Sequence, residues 1–217
     1  MRGVIVDSAA DDRPEWVQRG TWVHRVIRAA VRPLAYTPVT PNHLTTMRLL
    51  TGLAAAAAFA DGSEEGRQLG AWIFLLSLAF DHADGELARL TGKTSRWGHT
   101  YDIITDGACN ALVFVGLGMG LAGPALGAWP LVVGLVAGLT IAAVFALTLL
   151  LEMREGPHAG ELQGTGGLDP DQGMLAVPIA VWLGWAPWLV AAAGVGAPLF
   201  ALFYAWKFRQ RLMPHRA

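Results

Sequence analysis

The sequence predicts an all-α integral membrane protein: a bundle of six transmembrane helices preceded by an amphipathic helix in the membrane interface. Of its 217 residues, 53% are hydrophobic and only 15% are charged, and the mean hydropathy is +0.41. These values are atypical of a soluble domain of this size. The apolar residues fall in blocks of roughly 17 to 25, the length that a helix needs to cross the hydrocarbon core. This pattern favours a helical bundle over a β-barrel.

The segment ahead of the first apolar block has the pattern of a basic amphipathic helix. Between residues 12 and 33, tryptophans and aliphatic side chains are interleaved with Arg19, Arg25, Arg28 and Arg32. Such a pattern is typical of a helix that lies in the membrane interface. The first twelve residues lack the apolar core of a secretory signal peptide. We therefore expect residues 1–42 to form a cytoplasmic N-terminal segment and residues 43–217 to form the membrane domain.

Six apolar segments follow, and Gly, Pro or charged residues mark each change of direction. Asn42 is the predicted N-cap of the first segment. The predicted spans are 44–60, 69–90, 98–121, 126–151, 173–185 and 188–206. The fifth is short for a spanning helix, which requires about 20 residues, and it follows a polar, glycine-rich loop at 152–172.

The basic residues orient the predicted bundle. With these spans, Arg67 alone of the 16 Lys and Arg residues falls in a loop on the far side, so the positive-inside rule places both termini in the cytoplasm. Tryptophans gather at the two predicted membrane boundaries, as interfacial aromatic residues do. Arginine is used far more often than lysine, which indicates a GC-rich bacterial genome. We expect a multi-pass protein of the inner membrane.

Glycine pairs in GxxxG spacing occur in the third and fourth predicted spans, at Gly116 and Gly120 and at Gly134 and Gly138. This spacing permits close approach of helices. It fits packing within the bundle at least as well as contact between subunits, and we expect the protein to be a homodimer. The single cysteine, Cys109, excludes an intrachain disulfide and is expected to be a packing residue.

Four aspartates lie in or beside predicted spans, where an ionised side chain costs at least ~2.5 kcal/mol at the centre of a helix. Asp81 and Asp84 share a face near the end of the second span, and Asp102 and Asp106 share a face at the start of the third. A short loop joins these helices, so the two pairs can converge. Neighbouring carboxylates repel one another unless cations neutralise them. All-oxygen ligands suit Mg²⁺ or Mn²⁺, and two such ions could clamp the oxygens of a pyrophosphate.

The residues beside the aspartates also suit a phosphate ligand. Gly85 lets a ligand approach the backbone, and Arg89 can offer a guanidinium fork to phosphate. The alternative is structural, with Asp81 and Asp84 serving only as ion-pair partners of Arg89 and Arg96. Structural pairing does not require four carboxylates on two adjacent helices, so the sequence favours a functional site.

Residues 81–106, DHADGELARLTGKTSRWGHTYDIITD, resemble the signature of the CDP-alcohol phosphotransferase family. The signature is DxxDGxxAR, eight residues, then GxxxDxxxD, and the sequence matches every fixed position and spacing. The resemblance implies that an acceptor hydroxyl attacks the phosphorus next to the alcohol of a CDP-alcohol and that CMP leaves. We expect CDP-diacylglycerol as the donor, in phospholipid biosynthesis. The alternative is a CDP-aminoalcohol, or another CDP-linked polar head, with a lipid alcohol as acceptor.

The resemblance also implies roles for individual residues. The general base would be Asp106, and two Mg²⁺ or Mn²⁺ ions would be held by Asp81, Asp84, Asp102 and Asp106. The nucleotide would be bound by Asp84, Gly85, Ala88 and Arg89.

The acceptor is left open by the signature. A phosphorylated acceptor would need a second basic cluster, for which Arg96, His99 and Arg154 are candidates. Acidic residues in and beside the loop 152–172, such as Glu152, would instead favour a cationic or neutral acceptor.

Two other classes of protein also place aspartates in membrane spans. A cation or proton transporter would not require Gly85, Ala88 and Arg89 at these spacings, and the sequence has no paired repeats. A membrane prenyltransferase also uses aspartates and Mg²⁺ on a pyrophosphate, but with more spans and different aspartate spacing. Release of CMP would distinguish all three.

Overall fold

The computed structural model describes residues 22–160 and 173–212. Within these two ranges the secondary structure is helical and no β-strand occurs, which confirms the all-α prediction. The α-helices are α1 (Trp22–Val31), α2 (Pro41–Ala60), α3 (Glu64–Thr91), α4 (Arg96–Leu121), α5 (Trp129–Glu155), α6 (Ala176–Trp182), α7 (Ala186–Lys207) and α8 (Arg209–Leu212), and a 3₁₀ helix at Arg32–Tyr36 follows α1.

Local sequence sets the start of α2. The N-cap is Thr40, which shares a capping box with His43, and the His43 Nδ1 accepts a hydrogen bond of 3.3 Å from the Thr40 backbone N–H. The prediction that Asn42 is the N-cap is wrong. Pro41 occupies the first helical position, where its fixed φ and missing N–H are favourable, so the helix begins before Asn42.

The turn between α3 and α4 brings the two halves of the aspartate motif together. Gly92 ends α3 with φ +66°, a left-handed conformation that favours glycine. Ser95 then caps α4, because its Oγ accepts a hydrogen bond of 2.9 Å from the Gly98 backbone N–H. The two helices therefore run antiparallel, each packed against α2, and their aspartates lie at the same end of the bundle.

The main hydrophobic core is formed by α2, α3 and α4 and extends to α5, α6 and α7. Phe59, Phe74 and Leu117 are fully buried there. The GxxxG glycines allow close contact within the bundle. A Cβ at Gly116 or Gly120 would overlap the backbone of α2, and a Cβ at Gly134 or Gly138 would overlap backbone carbonyls of α4. These pairs therefore have a packing role inside one chain, and the homodimer stays a prediction.

Within the described ranges, three helices have the length and apolar composition to cross a membrane: α4, α5 and α7. In the most apolar part of α5 only 17% of the residues are buried, and in that of α7 only 11%. Most of their apolar side chains are thus at the surface, where a bilayer would cover them. In the most apolar part of α4, 61% of the residues are buried, because α4 lies at the centre of the bundle.

The predicted count of six spans is not established by these helices. The first two predicted spans fall within α2 and α3, both of which carry polar residues near the aspartate end. The fifth predicted span contains α6, whose seven residues extend about 10 Å, against a hydrocarbon core of about 30 Å. The interfacial position of the N-terminal helix also stays a prediction; residues 12–21 of that helix, like most of the loop 152–172, lie outside the described residues.

Candidate active site

Three of the four aspartates form a compact cluster between α3 and α4. One carboxylate oxygen from each of Asp81, Asp102 and Asp106 lies within 4.8 Å of the others. Asp84 is one helical turn from Asp81 and is 5% exposed. Its Oδ2 accepts a hydrogen bond of 2.7 Å from the Thr45 hydroxyl group of α2. The site is thus built by three helices, two of which carry the motif.

The aspartates lie at two depths in the bundle. Because α3 runs toward the turn at 92–95 and α4 runs away from it, Asp84 and Asp102 lie closer to this end of the bundle than Asp81 and Asp106. Asp84 and Asp102 line a cavity of about 190 Å³ that opens here. Asp81 and Asp106 lie one turn deeper, at the level of Arg48 in α2.

Arg48 is a buried cation in the deeper layer. It is 1% exposed, and its Nη1 and Nε each lie 2.8 Å from a carboxylate oxygen, of Asp81 and Asp106 respectively. Sequence reasoning missed this residue. The signal that could have found it is an arginine inside a predicted span, which is as costly there as an aspartate.

The cavity beside Asp84 and Asp102 contains most of the residues predicted to bind the nucleotide. Gly85 and Ala88 line it, together with Asn42, Thr45 and Gly98. A Cβ at Gly98 would lie 2.9 Å from the Asn42 Oδ1, so a larger residue at this position would displace the Asn42 side chain. The cavity wall therefore combines small residues from both halves of the motif with polar residues at the start of α2.

Arg89, the remaining residue predicted to bind the nucleotide, lies next to this cavity. Its Nη2 is 3.3 Å from the Oε1 of Glu86, and it would lie 3.5 Å from a Cβ at Gly85. Glu86 is 2% exposed, and its Oε2 also accepts a hydrogen bond of 3.2 Å from the Nε of Arg28 in α1. This carboxylate therefore ties Arg89 to the N-terminal helix.

These contacts differ from the structural alternative drawn from the sequence, in which Asp81 and Asp84 pair with Arg89 and Arg96. Asp81 pairs with Arg48 and Asp84 with Thr45, whereas Arg89 pairs with Glu86. The Arg48 guanidinium by itself cannot balance four carboxylates if all are ionised.

A second, larger cavity of about 580 Å³ adjoins the first. Thr94, Ser95 and His99 line both cavities. Of the residues predicted to bind the acceptor, Arg96 and His99 line the second cavity, whereas Arg154 is exposed near the end of α5. The remaining wall includes three apolar residues, Leu149, Met153 and Pro157.

A buried carboxylate holds His99 in place. The His99 Nε2 lies 2.6 Å from the Oε2 of Glu152, which is 6% exposed. The other carboxylate oxygen of Glu152 accepts a hydrogen bond of 3.2 Å from the backbone N–H of His158. Sequence reasoning assigned Glu152 to a polar loop, but α5 continues to Glu155 and brings this carboxylate to the cavity.

The donor set of the aspartate cluster fits a hard divalent cation. Carboxylate oxygens are the ligands that Mg²⁺ and Mn²⁺ prefer, and three of them already lie within 4.8 Å of one another. Asp84, one turn from Asp81, adds a further carboxylate beside the cavity. The identity and number of the ions stay predictions.

Comparisons with known proteins agree with this geometry. The sequence profile of a family described as CDP-alcohol phosphatidyltransferase matches residues 38–193, which is more than half of the chain. The match includes α2 to α5, and with them both cavities and all four aspartates. A search of the curated proteins found no match.

Proposed function

The chain belongs to the CDP-alcohol phosphatidyltransferase family, and on this premise we propose that it transfers a substituted phosphate group from CDP-diacylglycerol to the hydroxyl group of a second substrate. The family is one of transferases that act on CDP-alcohols. The observation that carries the proposal is the cluster of Asp81, Asp102 and Asp106 next to a cavity lined by the motif residues Asp84, Gly85 and Ala88. The product would contribute to phospholipid biosynthesis.

In the proposed reaction, the acceptor oxygen forms a bond to the phosphorus that carries the alcohol. The bond between this phosphorus and the oxygen of CMP breaks, and the hydroxyl proton passes to the carboxylate of Asp106. Divalent cations held by Asp81, Asp84, Asp102 and Asp106 would stabilise negative charge on the pyrophosphate and on the departing CMP. No covalent intermediate with the protein is required.

The protein's own residues would orient the donor. The Thr45 hydroxyl group fixes the carboxylate of Asp84, and Gly85 and Ala88 leave room for the nucleotide against α3. Arg89, which Glu86 holds beside Gly85, would offer its guanidinium to a phosphate.

We assign the acceptor to the second cavity. Support comes from the wall of Thr94, Ser95 and His99 that the two cavities share. A ligand in the first cavity would therefore lie next to a ligand in the second. Arg96 would contact a phosphate on the acceptor, and Arg154 would add a cation at the end of α5. The carboxylate of Glu152, paired with His99, would favour an acceptor without a phosphate.

One observation favours a second assignment of the substrates. The second cavity has an apolar wall of Leu149, Met153 and Pro157, which suits an acceptor with a hydrocarbon part. The acceptor would then be a lipid alcohol, and the donor would be a CDP-aminoalcohol or another CDP-linked polar head. The reaction type is the same in both assignments.

We further propose that residues 43–217 form a six-helix catalytic domain in the inner membrane of a bacterium, with residues 1–42 as a cytoplasmic N-terminal segment. Both termini and the aspartate end of the bundle would face the cytoplasm, and the protein would function as a homodimer. The excess of Lys and Arg on one side of the predicted spans supports this orientation.

The proposed function predicts that the purified protein releases CMP from one pairing within a panel of CDP-alcohols and acceptors. Release should require Mg²⁺ or Mn²⁺ and should stop when a chelator is added. If no pairing releases CMP and labelled cations cross a vesicle membrane instead, the protein is a transporter.

A pair of matched substitutions tests the role of Asp106. D106N should abolish turnover while the protein still binds the CDP-alcohol, because the amide cannot accept the hydroxyl proton. The control is D61N, since Asp61 is exposed at the opposite end of the bundle, and it should retain wild-type activity. Normal turnover in D106N would overturn the assignment of the general base.

A further inference from the structure

Arg48 makes contacts that the family signature does not describe, because it lies on α2, outside residues 81–106. Its guanidinium lies between the two motif helices. The Nη1 atom contacts the Oδ1 of Asp81 in α3, and the Nε atom contacts the Oδ1 of Asp106 in α4. The side chains of both aspartates are largely buried, at 11% and 16% exposed. A buried guanidinium is tolerated only when its charge is paired, and here each of these two nitrogens has a carboxylate.

The backbone of Arg48 is held by the same two helices. The Ser77 hydroxyl group of α3 donates a hydrogen bond of 3.0 Å to the Arg48 carbonyl oxygen. The Cys109 thiol of α4 lies 3.7 Å from this same oxygen. A Cβ at Gly52, one turn further along α2, would overlap the Cys109 side chain. Contacts from α3 and α4 thus fix the position from which the guanidinium reaches the aspartates.

We propose that Arg48 is a positioning residue that holds Asp81 and Asp106 in the geometry required for binding a divalent cation. Arg48 binds one oxygen of each carboxylate, and the other oxygen of each would serve as a ligand. This inference rests on the proposed function in one respect, namely that these aspartates bind the cation.

A role as a simple counterion would have the opposite consequence. If Arg48 only reduced the negative charge, its removal would strengthen the attraction between the cluster and a cation. If Arg48 positions the two carboxylates, its removal weakens cation binding, because the carboxylates then repel one another and lose their alignment. The direction of the change in Mn²⁺ affinity therefore decides between the two roles.

The test is a titration of purified wild-type protein and variants with Mn²⁺, followed by the electron paramagnetic resonance signal of the free ion. R48M should bind Mn²⁺ more weakly by roughly 10- to 100-fold, the range seen when a group that orients metal ligands is lost. R48K should also bind more weakly, since one ammonium nitrogen cannot occupy the positions of the two guanidinium nitrogens that lie 2.8 Å from Asp81 and Asp106. If R48M does not fold, the Mn²⁺ affinity of R48K decides the test.

The control is F59L, because Phe59 is fully buried in α2, about 16 Å along the helix axis from Arg48. F59L should lower thermal stability and leave Mn²⁺ affinity unchanged. Wild-type affinity in R48K, or equal or tighter binding in R48M, would overturn the positioning role. If wild-type protein binds no Mn²⁺, the metal assignment of the proposed function fails and this inference fails with it. Normal metal-dependent CMP release by the wild type, together with unchanged affinity in the variants, would overturn this inference alone.

Discussion

The hydrogen bond between Thr45 and Asp84 gives a quantitative prediction for T45V. Valine has nearly the shape of threonine, so the substitution removes the hydroxyl group with little change in packing volume. Both residues are buried, at 2% and 5% exposed, so solvent cannot readily replace the 2.7 Å bond. Because a hydrogen bond to a charged group contributes about 1.5–3 kcal/mol, kcat/KM for the CDP-alcohol should fall by roughly 10- to 100-fold.

The assay is the initial rate of CMP release at varied CDP-alcohol concentration with saturating acceptor. T45S keeps the hydroxyl group and should retain most of the activity. The control is T140V in α5, because the Thr140 hydroxyl group donates a hydrogen bond to a carbonyl oxygen of its own helix, that of Val136; its kcat/KM should stay within about 2-fold of wild type. Wild-type kcat/KM in T45V, or an equal loss in T45S, would refute the role of this hydrogen bond.

Two further predictions concern the second cavity and the helix packing. E152Q should raise KM for the acceptor more than KM for the CDP-alcohol, because Glu152 orients His99 in the second cavity. The measurement is steady-state kinetics with each substrate varied in turn. Equal changes in both KM values would contradict the assignment of the acceptor to the second cavity. G120A should lower the free energy of unfolding by about 1–3 kcal/mol, because its Cβ would overlap the carbonyl oxygen of Phe59. Thermal unfolding and size-exclusion chromatography in detergent will test this; unchanged stability with loss of a dimer would indicate a subunit contact instead.

The parts of the site that lie on α3 and α4 could be predicted from the sequence. Spacings of three and four residues put each aspartate pair on one helix face, and the short connection that begins at Gly92 returns the chain to the same end of the bundle. Each of these features is local in the chain. The structure accordingly brings Asp81, Asp102 and Asp106 within 4.8 Å and places Asp84 one turn away.

The partners of the aspartates on α2 could not be predicted in the same way. Arg48 is 33 residues before Asp81, and contact between them depends on how α2 packs against α3 and α4. The contact between Glu152 and His99 was missed for a related reason, since it requires both the full length of α5 and its packing on α4. Sequence spacing indicates which residues share a helix face but does not indicate which faces meet.

The number of membrane spans shows a different limit of sequence reasoning. Average apolarity predicts a span in α2 and α3, yet both helices also supply polar residues to the site, which lowers their apolarity near that end. The short α6 within 173–185 lacks the length for a full crossing by itself. The polar residues of the candidate site have thus weakened the hydropathy signal in α2 and α3.

The most direct test of the central claim is to identify both products of the reaction by mass spectrometry. Purified protein with Mn²⁺, a CDP-alcohol and its acceptor should yield CMP and the joined phosphodiester in equal amounts, and neither should form in the presence of a chelator. Release of CMP with the unjoined phosphorylated alcohol would identify a hydrolase. That result, or the absence of CMP with every pairing of donor and acceptor, would contradict the assignment of this aspartate cluster to phosphodiester transfer.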